Sequence, residues 1–217
     1  MDSIIYTSLP NPGSHGIHTG GLANKSGIEA VMDFYTYMSL MGRGFQVRAG
    51  TVTTPSVGDV AITDTAAEMA TDATSGLLIL PVYANISIRL ATGTLHEYAI
   101  KSVGTVSSAG TAFVPLPLRT ATATGSADVA LTTARAQGAG AVTVTAELAT
   151  TTRRHWGTAN PVAAGAGNDV PAYEWTPRMP PSLGGPQCFY VQIAATTTGP
   201  SYFCTVEYLE LPTATFV

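Results

Sequence analysis

Two hydrophobic periods follow one another along the chain. In "SGIEAVMDFYTYMSLMG", Ile28, Val31, Met32, Tyr35 and Met38 recur at helical spacing, and Gly42 ends the pattern. Ser26 and Glu29 stand in the S-x-x-E arrangement of a capping box, in which each side chain satisfies a backbone N–H of the first turn. This predicts a short helix over about 27–41, with a strand as the rival reading because "DFYTYMSL" is rich in aromatics.

From residue 45 the period becomes two, which is the repeat of a strand with one buried face. "FQVRAGTV" alternates, and "LLILPVYANISIRL" places Val82, Ala84, Ile86, Ile88 and Leu90 on one side. After "ATG", "TLHEYAIKSVGTV" alternates again, with His96, Tyr98 and Ile100 on one face, so the pair reads as a hairpin. Between these runs "GDVAITDTAAEMATDATSG" reads as a polar bridge with room for a helical turn. "TAFVPLPLRT" reads as an edge or bent strand, since Pro115 and Pro117 have no N–H to donate. "ADVALTTARAQ" and "AVTVTAELATTT" add two more strands around a Gly-rich link. Residues 157–186 read as one long loop with prolines at 161, 171, 177, 180 and 181 before Pro186; loops of that length usually serve function or assembly.

"CFYVQIAATTTGPSYFCTVEYLEL" closes the chain as two apolar strands about a polar turn. A symmetric hairpin with its loop at 195–200 sets Ala194 opposite Ser201 and Cys188 opposite about Glu207, not Cys204. A disulfide needs Cα atoms within roughly 7 Å, so both cysteines are expected as free thiols. The pattern as a whole predicts an all-β, two-sheet β-sandwich, a single jelly roll at 26–217, preceded by an irregular arm at 1–25 rich in Pro and Gly.

Charge changes the picture most. Asp, Glu, Lys and Arg make up 11% of the 217 residues, against roughly 25% in an average soluble domain, and Lys25 and Lys101 are the only lysines. Hydroxyl and small residues cover the exterior instead, which suits a subunit whose faces meet other subunits, where lysine is depleted. With a formal net charge of −4 and no run of cations beyond Arg153 and Arg154, direct nucleic-acid binding is not expected. The first residues show no basic n-region or apolar h-region, and no apolar run approaches the about 18 residues of a membrane helix. The expectation is a chain made in a cytoplasm, with no signal peptide and no transmembrane segment.

No catalytic signature is visible. His15 and His18 lack nearby ligands for a metal, and His96 stands beside Glu97 with no nucleophile placed by motif. Asp59, Asp64, Glu68 and Asp72 share one segment but lack the spacing of a calcium loop, and read as solvated acids. The candidate contact residues are Arg153, Arg154 and Trp156 of "RRHW", with Tyr173 and Trp175 on the long loop. Arg and Trp are enriched where subunits meet; the same residues could form a sugar platform, which is the alternative. The sequence assigns no catalytic residue, cofactor or metal.

The arm, the strands "LLILPVYANISIRL" and "SYFCTVEYLELP", and the long Pro/Gly excursions between Thr/Ala-rich strands together resemble the jelly-roll structural proteins of icosahedral viruses, especially tailless bacterial and archaeal ones. The resemblance spans 45–212 in texture and transfers no functional residue. It implies a virion structural protein that tiles a capsid shell through lateral loop, arm and strand-edge contacts. Its partners would be copies of itself and other virion proteins, over an inner layer or internal membrane. The alternative is a spike, tail-fibre or head-decoration protein that binds a host glycan.

Overall fold

A computed structural model describes residues 22–23, 29–30, 33–51, 53–62, 65–90, 96–119, 130–137, 141–144, 154–159, 172–195 and 199–213. Eight strands form its frame: β1 (Gly44–Ala49), β2 (Met69–Ala73), β3 (Leu77–Leu90), β4 (His96–Val103), β5 (Arg154–Ala159), β6 (Ala172–Trp175), β7 (Gln187–Ala195) and β8 (Ser201–Pro212). They divide between two sheets. One contains the order β1-β8-β3-β6 and the other β2-β7-β4-β5. The protein is an all-β sandwich.

The pairing has a simple rule. β1 pairs with β8, β2 with β7, β3 with β6 and β4 with β5, each antiparallel. First joins last, second joins seventh, and so on inward, as in one long antiparallel ribbon rolled so that successive strands fall in alternate sheets except at its end, where β4 and β5 pair within one sheet. Smaller strands extend this frame. Leu116–Pro117 adds to β1, while Thr111–Phe113 pairs with Thr133–Ala136, which in turn pairs with β2. Ser56–Val57 pairs with the start of β8, and Leu183–Gly184 with β3.

Burial explains the contrast between β8 and β7. On β8, Tyr202, Cys204, Val206 and Tyr208 are buried, while Phe203, Thr205 and Glu207 are half-buried on the outer face. β7 is buried at every position from Cys188 to Ala195. Its Phe189, Val191 and Ile193 enter the core between the sheets with Phe45, Ile86, Ile100 and Tyr208. Its Cys188 and Tyr190 enter a second cluster with Ala67, Ala70, Val103 and Val142. That outer cluster is covered by a small sheet of Ala66–Ala67, Val142–Thr143 and Ser108–Ala109. A strand covered on both faces loses its polar positions, which is why "CFYVQIAA" runs almost continuously apolar. Each large side chain taken fully out of water stabilises the sandwich by about 1.5–3 kcal/mol.

The structure corrects several expectations. The helix, α1, spans Phe34–Leu40 instead of 27–41, and Glu29–Ala30 is a strand paired with Leu22–Ala23. Its N-cap is Asp33, whose side chain accepts from Thr36 N at 3.0 Å, so the cap is not Ser26. None of its residues is buried. Neither predicted hairpin forms: β3 and β4 lie in opposite sheets, as do β7 and β8. A polar link that crosses the sandwich and one that turns within a sheet have the same local composition. Cys188 therefore pairs with Asp72 and Val103, and Cys204 with Ala49 and Ile86, so the thiols, free as expected, never faced one another. The "polar bridge" of 58–76 holds Ala66–Ala67 and the interior strand β2, and the long loop 157–186 includes the end of β5, all of β6 and Leu183–Gly184.

Candidate contact surface

Three acids, none of which was expected to be interior, tie the excursions to the sandwich. Glu68 bends between Ala67 and β2; its Oε2 accepts from Ile193 N at 2.7 Å and its Oε1 from Asp59 N at 3.2 Å. Burial pushes its carboxyl up to about 8, against the pull of those two amides, and the neighbouring Asp59 charge adds to the rise. Asp72, on the outer face of β2, accepts from Ser107 N and Oγ, both at 2.8 Å, and Arg135 Nε lies 3.9 Å away. Glu210 accepts from Leu131 N, Thr132 N and Thr132 Oγ1, and Thr132 Oγ1 lies 2.5 Å from Tyr208 Oη. Each carboxyl group satisfies backbone N–H groups that the interior would otherwise leave unpaired. They are structural clamps, and the reading of Glu68 and Asp72 as solvated acids is wrong. Among the described residues no group of three or more His, Cys, Asp or Glu is placed to hold a metal ion, and no helix is long and apolar enough to cross a membrane.

The sequence-predicted contact residues separate. Arg153 lies outside the described residues. Arg154 and Trp156 belong to β5, the last strand of its sheet, and the register against β4 shifts between His155 and Gly157, so Trp156 occupies a bulge. Tyr173 and Trp175 lie in β6, the last strand of the other sheet, and not in a loop. Tyr173 stacks on Tyr98 of β4 across the sandwich, with ring centroids 5.8 Å apart and 19° between planes. β5 and β6 thus border the same side of the molecule. Trp175 is only 8% exposed and packs on Phe189 at 5.8 Å. Its indole is part of the core, which removes it from an exposed contact patch or sugar platform. The parity of β6, with Tyr173 and Trp175 inward, leaves Glu174 exposed on the outer face.

The opposite side presents a different surface, which sequence reasoning did not single out. Gln46 and Arg48 point outward from β1, because Phe45, Val47 and Ala49 point into the core. Together with Gly50, Thr51, Thr54, Phe113, Val114 and Leu116 they line an open cleft of about 410 Å³. Gly50 adopts φ +70, and a Cβ there would meet Tyr202 O at 2.6 Å, so the turn that ends β1 against β8 requires glycine. Gln46 Nε2 donates to Glu207 Oε1 at 3.1 Å; Arg48 is exposed and makes no ion pair among the described residues. The cleft wall is apolar: Val114 is 68% exposed and Leu116 52%. The strand alternation of "FQVRA" did place Arg48 outward, but nothing local showed that "VPL" would fold against it.

Exposed apolar side chains are not confined to the cleft. Phe34, Tyr35 and Leu40 on α1, Val57 and Val60 before β2, Leu131, and Met179 after β6 are all exposed. No protein-family model, curated protein or solved structure matches the chain.

Proposed function

We propose that this chain is a virion structural protein: a jelly-roll subunit of an icosahedral capsid shell, assembled through lateral contacts with copies of itself and other virion proteins. The first-to-last strand pairing supports the jelly roll, since winding one antiparallel ribbon around a barrel produces that order. One observation carries the assembly part of the reading. Large apolar side chains stand exposed at α1, at the Leu116–Pro117 edge, at Leu131 and beyond β6, on a chain with 11% charged residues. A soluble monomer keeps such positions few and its charge density high. A tile with neighbours on several sides needs the reverse, because each weak apolar contact is multiplied around a closed assembly. The virion is the proposed location, with the genome beneath an inner layer and not in direct contact with this chain.

Light scattering after size exclusion, with negative-stain images, tests this reading on the expressed chain. Closed particles or rings of uniform size are the expected outcome. A monomer stable at high concentration that binds a host glycan would favour the spike or decoration role instead.

A further inference from the structure

Arg48 and Glu174 occupy matching places at opposite ends of one sheet. Both point from its outer face, Arg48 from β1 beside the Leu116–Pro117 edge and Glu174 from β6 at the other edge. Beside Arg48 is the cleft with its apolar wall of Phe113, Val114 and Leu116. Beyond Glu174 the chain leaves β6 through Pro177 and Arg178 to Met179, which at 86% is the most exposed large apolar residue described. One edge thus offers a cation over an apolar groove, and the other an anion followed by a protruding thioether.

We infer that the cleft of one subunit receives the 174–180 segment of the next copy, with Arg48 pairing with Glu174 and Met179 seated against Val114 and Leu116. This deepens the shell-subunit reading and rests on it. The occupant is a second copy because charge and shape complement each other between the two edges of the same sheet. Sheets laid edge to edge bring their outer faces level, so Arg48 and Glu174 approach without either subunit changing conformation. The guanidinium fork suits a carboxylate, and the unbranched methionine adapts to an irregular groove. Arg178, exposed in the same segment, finds the carboxylate of Glu207 beside the cleft floor. Such a contact is heterologous: different patches meet, so repetition continues beyond a dimer, into a ring where the rotation closes and an open filament where it does not.

Charge reversal tests the pairing. Arg48→Glu and Glu174→Arg are compared singly and together with the wild-type chain, by light scattering across a concentration series and by negative stain. Thermal melting of each variant checks that the sandwich is folded, and both positions are exposed. Each single reversal should raise the concentration for half-assembly about tenfold or more, and the double variant should return it to within about threefold of wild type. Met179→Asp should act like the single reversals. Singles that assemble as well as wild type overturn the contact while leaving the shell reading intact, and so does a double variant worse than either single. A wild-type chain that stays monomeric at every concentration sinks both.

Discussion

Glu68 makes the stability of this protein depend on pH in an unusual direction. Its carboxyl is 3% exposed, and burial holds it at about 8 in the folded chain against 4.5 in the open. The unfolded chain therefore releases this proton from about pH 4.5 upward, while the folded chain keeps it until about pH 8. A raised folded value means that the stabilisation is complete below the unfolded value and is lost as pH climbs through the folded one. A displacement from 4.5 to about 8 corresponds to about 5 kcal/mol between pH 4 and pH 9. For a chain of this size each kcal/mol moves the melting temperature by about 2–4 °C, so the fall is on the order of 10–20 °C. Glu68→Gln isolates the effect. The amide cannot ionise, but its –NH2 faces one of the two donors, Ile193 N or Asp59 N, and costs about 1–3 kcal/mol at acid pH. The melting curves of wild type and Glu68→Gln should cross: wild type more stable at pH 5, the variant equal or better at pH 9. Thermal melts at one-unit pH intervals read this directly, and hydrogen exchange at the Asp59 and Ile193 amides should show local opening above pH 8 in the wild type only. Parallel melting curves with no crossing would refute the reasoning.

Three further outcomes follow from the same contacts. Glu210→Ala leaves the buried Thr132 N and its neighbour Leu131 N without their acceptor, and should cost about 3–5 kcal/mol in urea unfolding; a loss under 1 kcal/mol would mean that the 131–132 segment is not clamped by it. Trp175→Ala should destabilise by about 3–5 kcal/mol, as removal of a core aromatic does; an unchanged melting temperature with a lost surface interaction would return Trp175 to the exterior. Burial pushes both the Cys188 and Cys204 thiols up, so neither should react with an aromatic disulfide reagent at pH 8 until denaturant is added. Prompt native-state labelling would contradict the assigned burial.

The amino-acid sequence by itself determined the class of this fold and much of its core. Alternation is a property of neighbouring residues, so "ANISI" and "YFCTVEY" announced their inward faces, and Ala84, Ile86 and Ile88 of β3 lie in the core with Tyr202, Cys204, Val206 and Tyr208 of β8. Val82, expected on the same face, is half-buried instead, because the register of β3 against β8 slips between Pro81 and Tyr83. The low charge count was equally legible, and it bears on assembly without reference to any contact. The cysteines are free as expected, but for another reason than the expected hairpin register: β7 and β8 lie in opposite sheets. What the sequence left open was everything set by partners distant along the chain. The stretch around β2 looked polar because Glu68 just before it and Asp72 within it break the apolar run, and their burial depends on Ile193, Asp59 and Ser107, which no local window contains. β3 and β4, like β7 and β8, looked like hairpins, because the choice between turning within a sheet and crossing to the other is made by the strands already waiting on each side. Trp175 moved inward for the same reason: Phe189 of the opposite sheet lies against it. The candidate contact between Arg48 and Glu174 has no sequence signature at all. Those two residues are related only through the sheet that separates them, and only the rolled ribbon places them on one face at its two edges.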